Sequence, residues 1–166
     1  MKRNIKLALM ASVLATAFSV NAIQKDITVT ADIDPTIDVT LADGTPLPAS
    51  IAMQYLPGKG LSAHTESIKF WANATDKDLS LRLVNAPALT DATGGTSIPL
   101  SVTVNGTKLT TTAATLPYAS TFPSGIANGS SALPLVIAQE TPGTVANAGI
   151  YSGVVSLVVT QATTGV

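Results

Sequence analysis

The single histidine, His64, is the first residue to test for chemistry, because nucleophilic catalysis of the Ser-His-Asp kind needs an imidazole held beside a hydroxyl. It stands in the polar stretch Ser62-Ala-His-Thr-Glu66, where a solvated imidazole making one local hydrogen bond is the simpler expectation. The chain has no cysteine, which removes thiolate nucleophiles, disulfide frameworks and Cys-based zinc or iron–sulfur sites, and one histidine cannot build a multi-histidine cage. Asp32, Asp34 and Asp38 are carboxylates spaced along a strand, without the glycine turn and closing glutamate of a calcium loop, so they are expected to be solvated. Trp71 and Tyr118 could stack on a sugar, and Arg82 could grip a carboxylate; a tryptophan buried between sheets and an exposed strand arginine are the simpler readings. Asn73-Ala-Thr75, Asn105-Gly-Thr107 and Asn128-Gly-Ser130 match glycosylation acceptors, but such tripeptides arise by chance in a Thr-rich chain, and the Asn-Gly pairs serve better as turns. The residue inventory therefore predicts no enzyme, no metal and no cofactor.

Charge narrows the partners. The formal net charge of −1 offers no basic stripe for a phosphate backbone, so nucleic acid is not an expected partner. Three of the nine basic residues, Lys2, Arg3 and Lys6, precede a weakly polar run from Leu7 to Val20 and a small-residue exit at Val20-Asn21-Ala22. This is the pattern of a secretory signal spanning residues 1–22; the run is about 14 residues, short of the roughly 20 that a membrane-crossing helix requires. Cleavage after Ala22 moves the net charge to −4 and yields an exported chain starting at Ile23. A retained anchor or a core helix is the alternative reading of the same run.

The elements that must position these residues follow a period of two. Ile98, Leu100, Val102 and Val104 alternate with Pro99, Ser101 and Thr103, and Asn105-Gly106 supplies the positive φ angles of a tight hairpin before Thr107. Leu79, Leu81 and Leu83 form one dry face, and Ile68, Phe70 and Ala72 another. Strands are also expected over Ile37–Leu41, Ile51–Leu56 and Leu133–Ala138, with Asp43-Gly44 turning the chain between the first two. Pro117 to Ser131, with its prolines, glycines and serines, reads as a long surface loop. No segment carries a helical period. About seven short strands in one domain predict an all-β fold, a β-sandwich.

The two ends of the exported chain stand apart. Ile23, Ile27, Val29, Ala31 and Ile33 share one face of an N-terminal strand, opposite Gln24, Asp26, Thr28, Thr30, Asp32 and Asp34, and Pro35 stops the ladder. A leading segment with strand propensity, an apolar edge and a proline boundary is suited to pairing with something. Near the other end Tyr151, Gly153, Val155, Leu157 and Val159 alternate with Ser152, Val154, Ser156, Val158 and Thr160, predicting a strand over 151–160.

Three stretches carry a family resemblance: Asp26-Ile-Thr-Val-Thr-Ala-Asp-Ile-Asp-Pro-Thr-Ile-Asp38, Ala42-Asp-Gly-Thr-Pro-Leu-Pro48 and Ala148-Gly-Ile-Tyr-Ser-Gly-Val-Val-Ser-Leu157. Together they resemble the major pilins of the colonization factor antigen I and cable pilin family; Leu61 to Asp78 and Pro117 to Ser131 depart from any fixed pattern. The resemblance implies a fimbrial shaft subunit, passed by a periplasmic chaperone to an outer-membrane usher, polymerising with identical subunits behind a minor tip adhesin at the cell surface. It also implies an immunoglobulin-like β-sandwich lacking its final strand and completed by donor-strand exchange. Residues 23–35 would then be the donor extension, with Ile23, Ile27, Val29, Ala31 and Ile33 as donor side chains, and 36–166 the incomplete domain. Tyr151, Val155, Leu157 and Val159 would belong to a strand lining the acceptor core. The other readings are a glycan- or protein-binding adhesin subunit of the same fimbria and a self-sufficient secreted sandwich. Length favours the shaft subunit over a tip protein, because one sandwich leaves no room for an added lectin domain.

Overall fold

In the computed structural model, which describes residues 37–92 and 96–162, the alternating stretches form short strands because every second side chain is apolar and the Gly, Pro and Asn between them break each run. The strands are β1 (Ile37–Leu41), β2 (Tyr55–Leu56), β3 (Gly60–Leu61), β4 (His64–Ala72), β5 (Leu79–Leu83), β6 (Ala88–Asp91), β7 (Ser97–Val104), β8 (Thr107–Leu109) and β9 (Ala114–Leu116). A single helical turn α1 (Tyr118–Thr121) follows, then β10 (Leu133–Gln139), β11 (Tyr151–Ser152) and β12 (Leu157–Gln161). The larger sheet runs β1-β4-β10-β7-β6-β11, with β8 also paired to β7; the smaller runs β12-β5-β9, and β2 and β3 make a separate hairpin. All pairings among the described residues are antiparallel. This is the β-sandwich that the alternation predicts, of the immunoglobulin-like kind that the resemblance implies, with more and shorter strands than the expected seven.

The sheets close on each other because the chain repeatedly changes layer. β5 lies in the smaller sheet and β6 in the larger; β8 pairs with β7 while β9 pairs with β5; β11 pairs with β6 and β12 with β5. Such crossings turn the corners of a sandwich and wrap both dry faces around one core. That core holds Ile68 and Phe70 of β4, Leu79, Leu81 and Leu83 of β5, and Val102 and Val104 of β7. Asn105 and Gly106 both adopt positive φ (49° and 77°) in the hairpin after β7, as the Asn-Gly pair predicts.

Four expectations need correction. Residues 151–160 do not form one strand: β11 ends at Ser152 on the larger sheet, and the chain crosses before β12 starts at Leu157 on the smaller. Gly153 makes the departure possible, since a Cβ there would overlap the Ala88 carbonyl oxygen. Of Ile51–Leu56 only Tyr55–Leu56 is a strand, paired among the described residues with the two-residue β3 alone, and Ile51, Tyr55 and Leu56 stay exposed. Pro117–Ser131 is more than a surface loop: α1 and a 3-10 turn at Ile126–Asn128 fold it inward, burying Phe122, which stacks on Tyr118 with ring centroids 5.4 Å apart. Ser130 anchors the same segment, donating its N–H to the Phe70 carbonyl and accepting the Phe70 N–H on Oγ. Trp71 is not between the sheets. It shares the outer face of β4 with Lys69, whose Nζ lies 6.0 Å from the ring centroid, and its Nε1 donates to Thr40 Oγ1 at 2.9 Å. The even positions Ile68 and Phe70 own the core side, so an odd residue on this strand must face out.

Candidate functional site

The side chains weighed for catalysis, metal or ligand binding stay apart. His64 opens β4, and its ring Nε2 lies 2.8 Å from Oε1 of Glu66, two residues along the same strand face. Arg82 is an exposed residue of β5, opposite Val158 in the ladder. Asp38 is exposed and its Oδ1 accepts the Val39 N–H, and no group of three or more potential metal ligands occurs among the described residues. Asp32 and Asp34 lie outside the described residues.

What the fold does assemble is apolar. β12 pairs with β5 along one edge, and among the described residues no strand pairs with its other edge. Beside it lies a groove of about 1080 Å³. Its floor is the inner face of the larger sheet, with Leu100 and Val102 from β7 and Leu135 and Ile137 from β10. One wall is the stretch from Leu47 to Met53 with Tyr55; the other is the stretch from Val145 to Val155. Gln139, at the end of β10, ties β3 to the segment after β10: its Oε1 accepts the Leu61 N–H at 2.9 Å and its Nε2 donates to the Gly143 carbonyl at 3.3 Å. Toward the C-terminal end of β12 a second depression of about 300 Å³ opens between β12 and β1, lined by Ile37, Val39, Leu157 and Val159. Leu47 and Leu157 line both.

The residues named from sequence meet this surface as follows. Tyr151, Val155 and Leu157 line the larger groove, and Leu157 and Val159 the smaller depression. Tyr151 reaches the groove from the larger sheet, where it pairs with Asp91, and its hydroxyl donates to the Asn147 carbonyl at 3.0 Å. Ile23, Ile27, Val29, Ala31 and Ile33 lie outside the described residues. Sequence reasoning missed Leu135 and Ile137 as groove floor, and Ile37 and Val39 as groove rim. Their alternation marks them as inward-facing; only the pairing order of the strands leaves them half-covered.

An apolar trough with an unpaired strand edge along it is suited to one kind of occupant, an extended segment that adds a strand and sinks alternate side chains. Residues 23–160 match the family model described as CS1 type fimbrial major subunit. The chain is 39% identical over 162 residues to a CFA/I fimbrial subunit of Escherichia coli, covering 92% of this chain and 94% of that protein. It is 36% identical over 172 residues to a CS1 fimbrial subunit of Escherichia coli, covering 96% and 99%. Among solved structures, the CooA pilin subunit from enterotoxigenic Escherichia coli superposes with a TM-score of 0.67 at 31% identity, over 78% of this chain and 89% of that one. With its sandwich shared with a solved pilin and its sequence matched nearly end to end, the chain belongs to the family of CS1 type fimbrial major subunits, the structural proteins of surface fimbriae.

Proposed function

We propose that this subunit polymerises by donor-strand exchange, residues 23–35 of one copy entering the groove beside β12 of the next. The observation that carries the reading is the free edge of β12 along an apolar trough, in a chain whose leading segment alternates apolar and polar residues up to Pro35. Residues 1–22 act as the export signal, 23–35 as the donor and 36–166 as the acceptor domain. Ile23, Ile27, Val29, Ala31 and Ile33 face the groove, and Tyr151, Val155, Leu157 and Val159 receive them. Burying four large aliphatic side chains contributes about 6–12 kcal/mol, enough to hold a strand in one register, since a one-residue slip would turn the Asp and Thr face inward. Until a neighbour arrives, a periplasmic chaperone covers the groove, and an outer-membrane usher exchanges it for the next subunit behind a minor tip adhesin. The shaft's role is mechanical and catalysis has no part in it.

The test is Ile27→Asp. It is expected to abolish fibres in electron micrographs of expressing cells while chaperone-bound pilin still accumulates. Normal fibres from this variant would overturn the proposal.

A further inference from the structure

The residues of β4, β6, β7 and β10 that floor the groove are aliphatic except at His64 and Glu66. Their side chains bridge at 2.8 Å and remain a little under a third exposed, 28% and 29%. In the ladder they stand beside Ile137 and Leu135, so the bridge forms a polar step in an otherwise greasy surface. The leading segment also departs twice from large apolar residues at odd positions between 23 and 33, with a charge at Lys25 and a small side chain at Ala31.

Resting on the donor-strand reading above, we propose that the His64–Glu66 bridge sets the register of the incoming strand by accepting Ala31 of a second copy of this chain. Every described strand pairing in the molecule is antiparallel, and a strand antiparallel to β12 enters with its first residues at the Gln161 end. That end lies beside the start of β1 and the end of β4: Gln161 Nε2 donates to the Ala74 carbonyl, and Ile37 pairs with Ala72. Lys25 cannot lie on an aliphatic floor, so its ammonium stays at this mouth, where the smaller depression opens to solvent. From Lys25 to Ala31 is six residues, and from Ala72 back to Glu66 is also six, a shared span of about 20 Å. With Lys25 at the mouth, Ala31 therefore arrives at Glu66, its single methyl group over the polar step of β4. Ile27 and Val29 fall on the aliphatic surface before it and Ile33 on that beyond it. A slip of two residues keeps the apolar face inward but puts Val29 or Ile33 against the bridge, where a branched side chain would strip water from the carboxylate without replacing its hydrogen bonds.

The experiment is a size swap read by fibre yield in cells and by thermal dissociation of purified fibres. Ala31→Leu is expected to cut fibre yield roughly tenfold or more by overpacking the step. Adding Glu66→Ala to it should restore yield to within about twofold, because a one-for-one exchange of bulk refills the same space. Adding Glu66→Gln instead, which keeps the size, should not. Wild-type yield from Ala31→Leu, failure of Glu66→Ala to rescue, or equal rescue by Glu66→Gln overturns the inference. Ile27→Asp in parallel separates the levels: fibres from that variant defeat donor-strand exchange itself, whereas loss there with normal Ala31→Leu fibres defeats only the register.

Discussion

β5 and β12 are neighbours in one sheet, with Leu83 opposite Leu157, Leu81 opposite Val159 and Leu79 opposite Gln161, yet they meet different surroundings. Leu79, Leu81 and Leu83 are 0%, 0% and 1% exposed, while Leu157 and Val159 are only half-buried. The same division runs down β4 and β10: Ile68, Phe70 and Leu133 are buried, whereas His64, Glu66, Leu135 and Ile137 on the same faces line the groove. The alternation of the sequence is as regular in one half as in the other. Burial is decided by what lies across the sandwich: β5, β9 and Phe122 close one half, and among the described residues nothing equivalent closes the other.

The sharpest way to break this contrast is to truncate one residue on each side of it. Leu81→Ala should destabilise the isolated pilin by about 2–5 kcal/mol in urea unfolding, by lost burial and a cavity. Val159→Ala should cost under about 1 kcal/mol there, because water already reaches the site. With a peptide of residues 23–36 bound, the Val159→Ala cost should rise toward the core value; equal costs without peptide would mean that the two halves are equally packed.

Gly153→Ala tests how the chain passes from one half to the other. Its new methyl group must displace the Ala88 backbone, so the layer change should shift and the melting temperature fall by the equivalent of about 1–3 kcal/mol. Calorimetry of the purified protein gives the number, and an unchanged melting temperature would remove the steric account of the crossing.

The smallest effect lies where the chain leaves β1 for the groove wall. Thr45 holds the Asp43 carboxyl below the ordinary aspartate range, first through its hydroxyl, which donates to Oδ1 at 2.6 Å, and then through its N–H at 2.9 Å. A lowered folded-state value stabilises the turn above the unfolded pKa of about 3.9 and loses that support as pH falls through the folded one. Stability near neutrality therefore does not vary with pH through this group. In an NMR titration Thr45→Val should move the Asp43 midpoint upward; an unmoved midpoint would assign the shift to another cause.

Local chemistry made much of the fold legible. β5, β7 and β10 followed from period-two alternation, and the turn after β7 from Asn105-Gly106, because those signals act within a few residues. The segments that went astray were decided at a distance. Phe122 lies in a stretch rich in turn residues, and nothing nearby says that the core reaches out to take it. Trp71 looked like core by its size, but the strand's period gives the inner face to Phe70. Tyr151 to Val159 keeps its alternation through a change of sheet, which periodicity cannot register because the side chains still face the same interior.

The sequence by itself determined most of the strands, their inward faces, the family and the alternation of apolar and polar residues in the leading segment, all of which rest on residue type and spacing over short range. Among the described residues, the tertiary structure alone decided which inward faces were left uncovered, that they line a groove and a smaller depression beside β12, and that His64 and Glu66 stand in the groove. Burial depends on the pairing order of strands far apart in the chain, and that order is set by the packing of the whole sandwich rather than by any one stretch of it.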